Sequence, residues 1–191
     1  MVANLSPSRS QAIAYARQVL ALNPVYLDTE TTGLEKTDEI IEISIVDDEG
    51  KILFESLVKP GRPVPPEATQ IHHITDDMVK TAPSWLVVWQ SVRSILLGRT
   101  IAIYNAEYDL RLLQQTHARY RMPWKETLNT VCLMKLFAQY QGVWDPNRRA
   151  YRYYSLDHAG KICKINLPNS HRASDDTLLA RALLHHIAES E

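Results

Sequence analysis

The chain has 191 residues and only two cysteines, Cys132 and Cys163. That is too few for a disulfide framework, and their separation lacks the paired spacing of a zinc knuckle. Both read as small apolar residues of the interior. No apolar run approaches the roughly 18–20 residues of a membrane span, so no membrane partner is expected. Residues 1–22 carry polar and charged side chains throughout, so no secretory signal is expected. No GxxxxGK[ST] run occurs, which excludes a P-loop for nucleoside triphosphates. Internal repeats and long linkers are also missing. At this length one domain spanning 1–191 is expected, large enough to bury a core unaided. Together these absences describe a soluble, cytoplasmic protein.

Strong net charge is lacking too: 21 basic against 22 acidic residues leave −1. Apolar residues at 45% and charged residues at 23% exclude a disordered or low-complexity chain. The charge is unevenly spread, however. Residues 1–110 hold 9 basic against 15 acidic residues, residues 111–172 hold 11 against 3, and residues 173–191 hold 1 against 4. This asymmetry fits a polyanion docked on one side, or a solvated helical surface. The low total argues against wrapping a long duplex.

Residues 8–22 read as a helix ended by Asn23-Pro24. Val25–Thr29, Glu39–Val46 and Lys51–Val58 read as three strands of a meander, the second placing Ile41, Ile43 and Ile45 on one face. Residues 60–66 (PGRPVPP) form a proline-rich loop. Trp85, Val88, Trp89, Val92 and Leu96 make one helical stripe, a core-packing face. Thr100–Tyr104 is a fourth strand, Asn105 caps a helix running to about Tyr120, and Asn129–Leu133 is a weaker fifth strand. Helices over 155–164 and 174–188 close the chain. This order predicts an α/β protein with a mixed five-stranded sheet. Residues 141–154 (QGVWDPNRRAYRYY) interleave basic and aromatic side chains, as single-strand binders do; a solvated loop with one buried tyrosine fits as well.

Asp28 and Glu30 sit at i and i+2 of a strand, so both side chains leave the same face, while Leu27 and Thr29 point to a core. Two adjacent acids at the end of an apolar strand repel each other, and a hard divalent cation resolves the conflict. An exposed acidic loop is the plainer alternative. Gly33 suits a left-handed turn just beyond. Asp109 falls in the first turn of the helix after the fourth strand, where a helix dipole alone could account for it. Asp176 begins the stripe Asp176, Leu179, Ala180, Leu183, Ile187 and is aimed inward, whereas Asp175 is rotated about 100° away. His171 lies in the loop before that helix and can titrate near neutrality. Acids outnumber His and Cys here, so zinc is not expected.

LDTETTG (27–33), YNAEYD (104–109) and HRASDD (171–176) resemble the three motifs of DEDDh-type 3′–5′ exonucleases. This is the proofreading-exonuclease superfamily, similar to the epsilon subunit of DNA polymerase III. The resemblance runs from about Val25 to Ile187. It implies an RNase H-like three-layer α/β/α fold in a single exonuclease domain, with residues 1–23 packed on or beside the core. It also implies Asp28, Glu30, Asp109 and Asp176 as ligands of two Mg²⁺ or Mn²⁺ ions and His171 as general base. The implied reaction is phosphodiester hydrolysis at a nucleic-acid 3′ end, DNA favoured, single-stranded or frayed, releasing nucleoside monophosphates. Thr31, Leu34, His72 (in IHHITDD, 71–77) and Tyr108 match positions near the terminal nucleotide. Tyr104 departs from the pattern, since many members carry His there, which bears on substrate fit rather than on metal binding. A proofreading subunit working with a DNA polymerase, a repair enzyme and a 3′–5′ exoribonuclease all share this motif set. A catalytically silent end-binding module would show gaps in the acids, and none is visible.

Overall fold

The computed structural model describes residues 7–191. Helix α1 (Pro7–Ala21) stops where Asn23 turns left-handed (φ 49°) ahead of Pro24, which cannot continue a helix. Strands β1 (Val25–Thr31), β2 (Ile40–Val46) and β3 (Ile52–Leu57) form the expected antiparallel meander. In the β2–β3 turn, the Asp47 carboxylate accepts from the amides of Glu49 and Lys51. Helices α4 (Trp85–Leu96) and α5 (Ala106–Arg119) flank strand β4 (Thr100–Ile103), and strand β5 (Asn129–Cys132) follows. Short helices α2 (Pro66–His72) and α3 (Asp76–Val79) occupy a stretch whose prolines disguise them. Helix α6 (Leu133–Gln141) was not anticipated either. It starts at Cys132 with no polar cap, and burial of Leu133, Leu136, Phe137 and Tyr140 holds it instead. The hairpin of β6 (Trp144–Asp145) and β7 (Ala150–Tyr151), then helices α7 (Leu156–Ile162) and α8 (Ala173–Glu189), complete the chain.

The five-stranded sheet has the order β3-β2-β1-β4-β5, with β4 parallel to both β1 and β5. Its two faces bury separate cores. Tyr26, Val46 and Ala102 face a layer made by α1, α6, α7 and α8; Leu183, Leu184 and Ile187 of α8 are fully buried there. Val25, Leu27, Ile43, Ile45 and Ile101 face α4 and α5, whose Trp85, Trp89 and Leu112 fill that side. Trp85, Trp89 and Trp124 gather around the His117 ring, so the tryptophan stripe is core, as its spacing predicts. Cys132 and Cys163 are free and half-buried against the two cores. Among the described residues no helix is long and apolar enough to cross a membrane.

One polar tie fixes how α8 meets the sheet. Glu42 of β2 is buried, and its carboxylate accepts from the Arg172 guanidinium (Nε at 3.1 Å from both oxygens) and from the Ala173 amide at 2.9 Å. A strand carboxylate thus satisfies a first-turn donor of α8, a task usually given to the N-cap side chain. Arg172 at the N-cap position makes no such bond to its own helix. Removing Arg172 strands a buried negative charge beside other acids. Arg172→Ala should lower unfolding free energy by about 3 kcal/mol, read as a shift of the urea midpoint; a shift corresponding to under about 0.5 kcal/mol would refute this role.

Candidate active site

The parallel strands β1 and β4 end side by side, and the chain leaves them in opposite directions across the sheet. Such a switch point opens a crevice at the carboxyl ends of the strands. A cleft of about 510 Å³ lies there, lined by Asp28, Glu30, Asp109, His171 and Asp176, with Tyr104 and Asn169 beside them. Period-two alternation on β1 sends Asp28 and Glu30 towards α8. Their cross-strand partners on the same face are Ser44 and Glu42. Asp176, in the first turn of α8, meets them from above. One carboxylate oxygen from each of Asp28, Glu30 and Asp176 falls within 4.8 Å of the others. Asp109 lines the same cleft but stands outside that trio, arriving from the α5 layer. Its Oδ1 accepts from the Thr29 hydroxyl at 2.7 Å.

The acids are held in unlike ways. No hydrogen-bond donor among the described residues reaches the Asp28 or Glu30 carboxylates. Burial, then the charges of Asp109, Glu30, Asp176 and Glu42, push Asp28 well above the usual carboxylate range. Burial, then Asp176, Glu42 and Asp109, push Glu30 up to about 9. Asp176 rises to about 7 through burial and the neighbouring Asp175, opposed by the His171 backbone and the Asn169 side chain. Burial raises Asp109 as well, and the Thr29 hydroxyl opposes it. Burial is the first cause of every one of these shifts, and the gathering of like charges adds to it for Asp28, Glu30 and Asp176. Oxygen-only donors in this number suit a hard divalent cation, so the donor set fits the metal that the sequence implies.

His171 sits on the cleft rim in a left-handed turn (φ 53°), with a side chain 51% exposed and Nδ1 3.9 Å from Asp176 Oδ2. Asp175 points away from the trio and accepts from Ser170. Asn105 occupies the N-cap position of α5 but makes no capping bond with its side chain; instead it lines the cleft. Tyr104 donates to the Tyr154 carbonyl at 2.8 Å.

A second, more apolar pocket of about 420 Å³ adjoins the first, sharing Thr29, Glu30 and Tyr108 with it. Thr31, Leu34 and His72 line it too, so the four anticipated substrate positions converge there. Thr31 and Tyr108 brace the loop after β1: each hydroxyl donates to the Gly33 carbonyl, at 2.9 and 3.1 Å. Gly33 does not adopt the expected left-handed turn. Its φ of 155° is still one that side chains rarely adopt, and a Cβ would lie 2.6 Å from Asp38 Oδ2. Leu34, 75% exposed, stands at the pocket rim. The buried His72 accepts the Ile74 amide at Nδ1 (3.0 Å), and burial lowers its pKa. The neutral ring therefore carries its proton on Nε2, which makes no well-formed hydrogen bond although the Thr31 carbonyl lies alongside.

Sequence spacing did not single out Thr29, Glu42 or Asn169, yet each positions an acid or the helix that carries one. Asn169 donates to Asp176 Oδ1 at 2.9 Å. The sole available signal was polarity out of place: a threonine and a glutamate within strands otherwise built for the core.

Known proteins resemble this chain in sequence and fold. The model of the RNase T exonuclease family matches residues 25–184. An uncharacterised exonuclease of Escherichia phage 186 is 36% identical over 181 residues, covering 91% of this chain and 92% of the relative. The DNA polymerase III epsilon subunit of Treponema pallidum is 30% identical over 172 residues, covering 85% of this chain and 77% of that subunit. Exonuclease X, solved in complex with 5′ overhanging duplex DNA, superposes with a TM-score of 0.63 at 31% identity, covering 85% of this chain and 89% of that one. The cell-death related nuclease 4 shares the fold with a TM-score of 0.68 at 20% identity, covering 85% of this chain and 62% of that one. The sheet order is that of these RNase H-like enzymes, and members of the family generally use divalent metals. The chain belongs to the exonuclease family, and it is a nuclease, a hydrolase of phosphodiester bonds.

Proposed function

We propose that this protein is a metal-dependent 3′–5′ exonuclease that removes nucleoside monophosphates from the ends of DNA, single-stranded or frayed, and that residues 1–191 form one exonuclease domain. The observation that carries this reading is the meeting of Asp28, Glu30 and Asp176 within 4.8 Å, beside an apolar pocket sized for a nucleoside. The relation to exonuclease X, whose solved complex holds duplex DNA, supports DNA as the substrate. The epsilon relative favours a second reading, in which the same activity serves a DNA polymerase as a proofreading subunit; a rise in activity on adding polymerase would separate the two.

Asp28, Glu30, Asp109 and Asp176 would hold two Mg²⁺ or Mn²⁺ ions. Such ions screen the phosphate and stabilise both the attacking and the leaving oxygen. The carboxylates do not need to move far, because β1 fixes two of them and Thr29 and Asn169 orient the others. His171 takes the proton of the attacking water. Its exposure leaves it free to approach the scissile phosphate. In the adjoining pocket, Leu34 covers the terminal base, Tyr108 walls the sugar, and His72 Nε2–H supplies a buried donor. Helix α1 lies outside the family match and packs on α6 and α8, supporting the layer that carries Asp176.

His171→Ala should lower kcat on a 5′-labelled oligonucleotide by about 10²–10⁴-fold while KM stays within a few-fold; an unaltered kcat would overturn the general-base role. Chelation should abolish degradation, and Mg²⁺ or Mn²⁺ should restore it for the native chain. Asp28→Asn should lose at least about a hundredfold in rate with either ion, and a fully active variant would refute the ligand set. The same charges govern stability. A carboxyl whose pKa is raised on folding binds its proton more tightly in the folded chain, so stability falls as pH rises between the unfolded and folded values. For Glu30 that window runs from 4.5 to about 9. In chelator, the melting temperature should therefore fall across it. Asp28→Asn should melt higher than the native chain at pH 8 and gain less from added Mn²⁺. A native melting temperature indifferent to both pH and Mn²⁺ would contradict the electrostatics.

A further inference from the structure

The least regular stretch of the chain carries a surface that the chemistry above does not use. Between α6 and α7 the chain folds into the β6–β7 hairpin, with Trp144 paired to Tyr151 and Asp145 to Ala150. Its base is closed by the Arg152 amide donating to the Val143 carbonyl at 2.8 Å. The Asp145 carboxylate is committed to the turn, accepting from the Asn147 amide at 2.9 Å and lying 3.7 Å from Arg148 Nε. Arg149 sits at the tip in a left-handed conformation (φ 50°). Among the described residues, neither Arg149 nor Arg152 has a carboxylate partner. Trp144 is 55% and Tyr153 41% exposed, and Trp144, Arg148, Arg152 and Tyr153 line one concavity of about 500 Å³.

The hairpin is joined directly to the cleft. Tyr154, three residues beyond β7, packs edge-on against buried Phe137, and its carbonyl accepts the Tyr104 hydroxyl. Tyr104 lines the cleft, and so do Ser155, Leu156 and Asp157, which come next in the chain. A strand whose end lies in the cleft must leave it past the rim, and this rim presents guanidinium forks and flat aromatic faces, with the Asp145 carboxylate that shares the concavity held in the turn by the Asn147 and Arg148 amides. That chemistry matches phosphates and bases.

We propose that the β6–β7 hairpin is a strand-binding arm that holds the single-stranded nucleic acid on the 5′ side of the terminal nucleotide, with Arg149 and Arg152 on phosphates and Trp144 and Tyr153 against bases. This rests on the reading of the cleft as one that takes a strand end. It gives a role to three of the eleven basic residues in 111–172, Arg148, Arg149 and Arg152.

The test compares a substrate with an upstream strand, a thymidine 20-mer, with one that has none, the p-nitrophenyl ester of thymidine 5′-monophosphate. In Arg149→Ala/Arg152→Ala, KM for the 20-mer should rise about tenfold, and the slope of log KM against log salt should fall by about 1.4 for two lost phosphate contacts. Hydrolysis of the ester should be unchanged. Arg149→Lys/Arg152→Lys should restore the salt slope, which a merely structural role would not do. Binding of a fluorescein-labelled 20-mer in chelator needs no turnover and should weaken to the same extent in the alanine variant. If the native protein hydrolyses neither substrate, the exonuclease reading fails, and the binding measurement still decides the arm. Unchanged 20-mer parameters, as for a hairpin that serves a protein partner, overturn the proposal. So does an equal loss on the ester, which would mean that the hairpin props the cleft.

Discussion

Mutual repulsion among carboxylates is the constraint around which this molecule is organised. Asp28, Glu30, Glu42, Asp109 and Asp176 crowd the ends of β1 and β4. A solvated loop would let them drift apart. Here Asp28 and Glu30 are fixed on β1 by their pairing with β2, just past the point where β1 also pairs with β4. Glu42 is neutralised by Arg172, and the two aspartates on helices are each oriented by one neutral donor. The fold therefore keeps the charges together by rigidity.

The division of labour between the acids follows from their positions. Glu42 lies opposite Glu30 across β1 and β2, yet it has a guanidinium and a backbone amide to itself. It is structural. Asp28 and Glu30 have no such partners, which leaves their oxygens free to coordinate. One strand face thus carries both a satisfied acid and two unsatisfied ones, and the distinction lies in what α8 brings to it.

Much of this was legible in the residues. The meander, the tryptophan stripe and α8 announce themselves through periodicity, and the acids of the cleft through three short motifs. What escaped has physical reasons. Glu42 sits in a strand buried on both faces, so alternation could not say which face it served. Thr29 was read as a core residue, and it is one by burial, but its hydroxyl turns to Asp109 from across the layer. Helices α2 and α3 are too short for a period of 3.6 to show, and two-residue strands cannot display alternation, which hid the hairpin. Gly33 was correctly marked as a place for glycine, although for close approach to Asp38 rather than for a left-handed turn.

The two cores on either side of the sheet have a bearing on when the cluster of acids forms. Asp109 is delivered by the layer that packs on Leu27 and Ile101, and Asp176 by the layer that packs on Tyr26 and Ala102. The sheet and the α8 layer bring Asp28, Glu30 and Asp176 together, and only the α5 layer adds Asp109. With either layer unseated the set of acids would be incomplete, so the full cluster belongs to the fully folded chain alone.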